Sequence, residues 1–310
     1  MAKRMRVAVT GSTGFIGSAL VSALRDRGDE VIRFIRPTTK TRDEMTVRWD
    51  PSTDLVDGDD LRRNGQFDAV VHLAGAGIAD KRWTIARKTE ILDSRVNATR
   101  LLVDALSSSK SGTPFLASGS AIGFYGSRGD ELLDEQSGSG DGFLADVCAQ
   151  WENEAVRLLE SGADVALLRT GIVMSARGGA LKKQLPLFRN GLGGRLSTGQ
   201  QWTSQISLRD EIRAILWIID HKLTGPVNLV APHPVTNAEF TKLLARQLHR
   251  PSIATVPSFA LNVALGSQLV SEALLASQRI EPTVLLQSNF IFDDLDCSSI
   301  LRTALSPTTY

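Results

Sequence analysis

Apolar β-branched positions at Val7 and Val9 run straight into the turn Thr10-Gly11-Ser12-Thr13, and the apolar residues from Phe15 to Leu20 then repeat at helical spacing. That switch of period predicts a buried strand, a tight turn and a helix ending near Gly28. The alternation continues down the chain. Strands are expected over 31–35, 45–50, 68–73, 115–117, 165–169 and 227–230, and a brief helix within the acidic segment 54–66. Longer helical patterns cover 83–106, with Ile91, Val96, Leu101, Leu102 and Leu106 facing inward, then 141–160 and 208–219. Farther on, Asn237 is expected to cap a helix through Leu248 whose stripe is Phe240, Leu243, Leu244 and Leu248. Helical runs over 258–265 and 269–278 follow.

Strands that alternate with helices predict an α/β fold, a Rossmann-type doubly wound parallel sheet with a smaller, mostly helical C-terminal substrate lobe. The expected boundaries are 1–174 for the dinucleotide-binding domain, with its sheet completed by 205–231. Segments 175–204 and 232–310 make the lid and the lobe. Chain length supports this division, since 310 residues exceed what one small core needs.

Gly11, Gly14 and Gly17 form a G-x-x-G-x-x-G, one residue looser than the common dinucleotide fingerprint. Strand before and helix after still favour a phosphate-binding turn over a merely tight connection. Free N–H groups around Thr13, Gly14, Phe15, Ile16 and Gly17, helped by the helix dipole, suit a pyrophosphate. At the end of the second strand Arg33 and Arg36, with Lys40 and Arg42 nearby, stand where an acidic residue would bond the ribose of NAD. Cations there match a 2′-phosphate, so NADP (NADPH) is expected ahead of NAD, with Arg36 the first choice. Solvated loop cations are the plain alternative. After the fourth strand, Leu73, Ala74 and Gly75 open a second small-residue turn toward the cofactor. His72, inside that strand, reads as a satisfied core histidine.

The charge balance narrows the partner. With 35 basic and 34 acidic residues the net charge is +1, which favours a small-molecule substrate over nucleic acid or a membrane surface. Two cysteines, Cys148 and Cys297, are too few for a disulfide framework or metal cluster and fit a reducing cytoplasm. No apolar run approaches the roughly 18 residues that span a bilayer, and the first strand begins before a signal-peptide core could form.

Behind the fifth strand, Ser118-Gly119-Ser120-Ala121-Ile122-Gly123-Phe124-Tyr125-Gly126 is expected as a loop opening toward the nicotinamide. Taken in order, TGSTGFIG, HLAGAG and SGSAIGFYG resemble the extended short-chain dehydrogenase/reductase superfamily. IADKRW, DSRVNATRLL, LLRTGIV, GGALKK, GLGG and GQQW are similar to its sugar-nucleotide-epimerase-like subfamily, the NAD(P)-dependent epimerase/dehydratase-like chains with a C-terminal domain of their own. The resemblance implies a Rossmann-type fold, a bound nicotinamide dinucleotide and a C-terminal substrate lobe. It also implies that Ser118 belongs to the cofactor site and that Ser120 holds a substrate oxygen.

The departures concern catalysis. Active members of the superfamily carry Tyr-x-x-x-Lys on the helix after the serines, where lysine lowers the tyrosine pKa for proton exchange. Here Phe143, Leu144, Val147 and Cys148 fall near those places, and the chain's tyrosines are Tyr125 and the terminal Tyr310. Tyr125 is thus the available phenolic acid, or else a packing aromatic. The superfamily asparagine is replaced by Ser94 and Arg95, of which Arg95 could face an anionic substrate or join a surface ion pair. Gln205 and Ser207 stand where the subfamily usually has Trp and His. Lys182, Lys183, Arg189 and Arg195, in the glycine-rich stretch 175–202, are expected to clamp a diphosphate or carboxylate, against the alternative of a solvated loop.

The sequence therefore predicts an NADP-dependent oxidoreductase or epimerase-like enzyme acting on a small polar or nucleotide-linked carbonyl or alcohol. Ser120 would hold the substrate, and Tyr125 or water would handle the proton. The missing dyad keeps open a second reading, a non-catalytic NADP(H)-binding sensor or regulatory protein.

Overall fold

The computed structural model describes residues 4–40, 45–108, 112–252 and 254–306. Its centre is an eight-stranded sheet. β1 (Arg6–Thr10), β2 (Glu30–Ile35), β3 (Thr46–Asp50), β4 (Leu55–Val56), β5 (Ala69–His72) and β6 (Phe115–Ala121) are joined by Val165–Thr170 and Gly225–Leu229. In space the order is Gly225–Leu229, Val165–Thr170, β6, β5, β1, β2, β3, β4, parallel throughout except for β4 on β3. Strand order reverses between β5 and β1, and such a switch point opens a crevice at the carboxyl ends of the strands.

Helices cover both faces. α1 (Phe15–Asp26) packs with α6 (Leu208–His221) on one side, where Leu20, Leu24, Ile212 and Ile215 are fully buried against Val7, Val9 and Leu168. α2 (Gly58–Asn64) follows β4, and α3 (Ile85–Ser107) and α4 (Phe143–Val156) lie on the other side over Ala8, Val70 and Leu116. Burying each such Leu or Ile contributes about 1.5–3 kcal/mol, so the two apolar layers hold the sheet ends in place. α1 ends where Gly28 takes φ 89°, and the Asp29 carboxylate beyond accepts from the Met5 amide at 3.0 Å, tying the turn to the start of β1.

A third cluster joins α5 (Gly179–Arg189), α7 (Asn237–Gln247) and the helix Cys297–Leu305 through Leu181, Phe188, Phe240, Leu244, Ile300 and Leu301. Two local expectations change. Thr236, not Asn237, caps α7, because Glu239 three residues on completes a capping box; Asn237 instead accepts from the Leu196 amide at 2.8 Å. The helical run expected over 269–278 shortens to Ser267–Leu269 and a π-turn at Val270–Leu274.

Candidate functional site

The crevice at the switch point is a cavity of about 850 Å³. Its walls include Gly11, Thr13 and Gly14 from the first turn, Arg36 from the end of β2, and Leu73, Ala74 and Gly75 after β5. The three glycines divide the work. Gly11 takes φ +62°, and a Cβ on it would sit 2.7 Å from the Leu73 carbonyl carbon, so the two turns press backbone to backbone. A Cβ on Gly17 would lie 2.2 Å from the Gly11 oxygen, which lets α1 start directly behind the turn. Gly14 is the N-cap and offers no side-chain cap, leaving the amides of Phe15, Ile16 and Gly17 without intrahelical partners. A Cβ there would meet only the Gly11 oxygen at 3.2 Å. The space in front of Gly14 and those free donors fit a pyrophosphate.

The Phe15 ring turns away from this surface and packs under Gly178, whose Cβ would fall 2.3 Å from it. Ile16 packs into the core beneath. Neither residue is among those lining the cavity, so what they hold toward the turn is their free N–H groups.

On the rim, Arg36 is 64% exposed and lies 3.6 Å from Asp50, while Arg33 Nε donates to Ser12 Oγ at 3.2 Å. No acidic side chain ends β2, so this rim suits a phosphate better than ribose hydroxyls alone. Lys40 is exposed beyond it, and Arg42 lies outside the described residues. Thr39, Trp49, Ser52 and Asn97 also line the cavity. Sequence patterns missed them, because only their places at strand ends and on one face of α3 bring them there.

His72 fixes the second turn. Thr10 Oγ1 accepts from the amides of Leu73 and Ala74 at 3.1 and 3.2 Å and lies 2.7 Å from His72 Nδ1. Burial holds the imidazole neutral, its pKa lowered to about 3. Its other nitrogen meets Thr99 Oγ1 at 3.0 Å, and Thr99 donates onward to the Arg95 carbonyl.

The reaction end differs from expectation. β6 runs to Ala121, so Ser118 and Ser120 are strand residues held between His72 and Arg169, not loop residues. Ser118 is fully buried and is not among the residues lining the cavity. Ser120 Oγ donates to Glu152 Oε1 at 2.6 Å, and Glu152 is held by Arg169 through two further bonds of 2.9 Å. The hydroxyl hydrogen of Ser120 is thus committed, and its oxygen can only accept.

Tyr125 is not placed as an acid. Fully buried, it donates to Asn228 Oδ1 at 2.7 Å and accepts from Arg169 Nη1 at 3.0 Å, and burial pushes its pKa up to about 12. The Arg169 guanidinium also stacks on Phe124, 3.6 Å from the ring centroid. Tyr125 therefore belongs to a buried polar network, a setting that fits the packing alternative. Among the described residues no other tyrosine stands nearby; Leu144 and Cys148 of α4 lie against Gly123, and burial pushes the Cys148 thiol up to about 12.

The expected clamp is not assembled either. Lys183 pairs with Asp80 at 2.9 Å and pins α5 to the loop after β5, Arg195 donates to Thr255, and Lys182 and Arg189 face outward. Gln205 and Ser207 are structural: Ser207 caps α6 through the Asp210 amide, and Gln205 bonds Thr203.

The model of the NAD dependent epimerase/dehydratase family matches residues 7–230. The chain belongs to that family. Residues 256–304 match a domain of unknown function, DUF1731, so this family member carries a C-terminal extension beyond the sheet domain. Epimerase family protein Mb2239 of Mycobacterium bovis is 42% identical over 287 residues, covering 92% of this chain and 93% of its own length. The chloroplastic SDR39U1 homolog of Arabidopsis thaliana is 34% identical, covering 93% and 83%. Among solved structures, human epimerase family protein SDR39U1, determined with NADPH, superposes with a TM-score of 0.86 at 30% identity, over 97% of this chain and 99% of that one. The fold of this epimerase-family chain is thus of the short-chain dehydrogenase/reductase type, and the likeness supports a nicotinamide dinucleotide as cofactor.

Proposed function

We propose that this epimerase-family chain binds NADPH and uses it on a small polar or nucleotide-linked carbonyl or alcohol, as an oxidoreductase or epimerase. The observation that carries the reading is the cavity that joins Gly14 to Arg36 and Gly75 at the sheet's switch point. The dinucleotide supplies hydride chemistry when bound. The protein supplies the amides of the first turn for the pyrophosphate and Arg36 for a 2′-phosphate. Ser120, whose hydrogen is held by Glu152, accepts a hydrogen bond from a substrate hydroxyl. With Tyr125 buried, water carries the proton. A setting in the cytoplasm agrees with two buried free thiols.

One other reading has support, an NADP(H) sensor, because Phe143, Leu144, Val147 and Cys148 fall near the places of the missing dyad. Titration of the purified chain with NADPH and NADH, followed by absorbance assays against carbonyl and alcohol panels, separates the two. The enzyme reading expects tight NADPH binding and cofactor turnover. Tight binding with no turnover on any panel favours the sensor, and no NADPH binding defeats both.

A further inference from the structure

α3 presents Arg87, Ile91 and Arg95 on one face, four residues apart, beneath the loop Gly75–Gly77. Arg87 is engaged there: it pairs with Glu90 at 2.6 Å and donates to the Gly77 carbonyl. Arg95 is not. Its guanidinium carbon lies 3.3 Å from where a Cβ on Gly75 would be, and it stacks on Trp151 at 5.2 Å. Nη1 bonds the Ile91 carbonyl at 3.0 Å with a longer contact to Ser94, while Nε and Nη2 have no hydrogen bond among the described residues.

Two of the neighbouring acids are spent, and Asp93, exposed on the cavity wall, forms no ion pair with Arg95. Glu90 holds Arg87, and Glu152 holds Arg169 and Ser120. Cys148, near Arg95, is a neutral thiol and supplies no negative charge. Burial lowers the Arg95 pKa, and Arg87 adds a like charge. Arg95 is half-buried, and a guanidinium partly withdrawn from water without a counter-ion gains from an incoming anion. The turn at Gly14 offers amides for the cofactor pyrophosphate, so Arg95 at Gly75 is a second place for an oxyanion.

We propose that Arg95 is a substrate-binding residue that takes a carboxylate or phosphate of the substrate at Gly75. This rests on the reading of the adjoining cavity as the cofactor site. The shared chemistry is an oxyanion, whose other source is a phosphate of the cofactor itself.

The test titrates inorganic phosphate and malonate, at constant ionic strength, into the NADPH complex and into the cofactor-free chain, reading nicotinamide and tryptophan fluorescence. Wild type is compared with Arg95→Gln and Arg95→Lys, each checked by circular dichroism. We expect Arg95→Gln to weaken probe binding at least about tenfold, with Arg95→Lys intermediate and NADPH affinity changed less than about threefold. Equal probe affinity in wild type and Arg95→Gln overturns the proposal, as does a wild type that takes up neither probe. A tenfold loss of NADPH affinity in Arg95→Gln without probe overturns it in favour of the cofactor's phosphate. Arg95-dependent probe binding in a chain that does not bind NADPH upholds it and removes the cofactor reading instead.

Discussion

Thr10 Oγ1 and His72 Nδ1 are 2.7 Å apart, and the direction of their bond is fixed: Thr10 already accepts two amides, from Leu73 and Ala74, so its one hydrogen goes to Nδ1. The His72 proton therefore sits on Nε2 and is donated to Thr99. This chain joins β1, β5 and α3 beneath the cofactor loop. Thr10→Val leaves both amides and the imidazole unpaired, and each lost buried partner costs about 1–3 kcal/mol. The variant should melt earlier and bind NADPH more weakly, whereas Thr10→Ser should keep most of both. Unchanged melting and NADPH titration for Thr10→Val would show that the network does not hold the loop.

Gly14 and Gly17 separate binding from folding. A side chain on Gly14 enters the cavity and meets little protein, while one on Gly17 strikes the Gly11 carbonyl. Gly14→Val should therefore give a folded protein without measurable NADPH affinity, and Gly17→Val a protein that fails to fold. Circular dichroism and NADPH titration of the pair decide it, and full NADPH affinity in Gly14→Val sinks the placement of the pyrophosphate.

Arg36 sets cofactor preference if the 2′-phosphate lies at the rim. Arg36→Asp should weaken NADPH about tenfold to a hundredfold, the range of a lost charge-assisted contact plus a repulsive one, and spare or improve NADH. The Arg36–Asp50 pair, 3.6 Å apart, is lost in this variant as well. Equal weakening of both cofactors would assign Arg36 to structure.

The first turn was legible because its signals are local: strand period, glycine spacing and helix period adjoin within the segment 7–20. The end of β6 was not. Ser118-Gly119-Ser120 reads as a turn, yet the strand continues because His72 on one side and Arg169 on the other supply backbone partners. Glu152 and Arg169 likewise look like solvated charges, and only the fold brings α4 against the next strand and buries the pair at 8% and 5% exposure. His72 was legible as a buried histidine, while its link to Thr10, 62 residues away, depends on β1 and β5 being neighbours.

Tyr125→Phe discriminates packing from acid catalysis. Removing the hydroxyl leaves Asn228 and Arg169 each short of a partner, so stability should fall by about 1–3 kcal/mol. With a substrate in hand, kcat at temperatures where the variant stays folded should change less than about threefold, against the 10²–10⁴-fold typical of a lost general acid. Urea unfolding and steady-state kinetics read the two quantities independently. A large kcat loss with unaltered stability would restore the phenol to the chemistry.

Glu211 makes stability depend on pH in a direction that its burial determines. Fully buried on α6, it accepts one bond, from Thr170 Oγ1 at 3.0 Å, and desolvation raises its pKa from 4.5 to about 8. Between those values the unfolded chain has lost the proton and the folded chain keeps it, so stability falls as pH rises. His72 works the other way: below 6.5, down to about 3, the unfolded chain binds the proton that the folded chain refuses, and stability falls as pH drops. The two slopes oppose each other from 4.5 to 6.5, and above 6.5 only that of Glu211 remains. At roughly 1.4 kcal/mol per pH unit, wild type should lose about 2 kcal/mol between pH 6.5 and 8. Glu211→Gln cannot ionise, so its unfolding free energy should lose that slope whatever its absolute level. Urea unfolding of both proteins at the two pH values measures the difference, and parallel losses would show that Glu211 is not the group responsible.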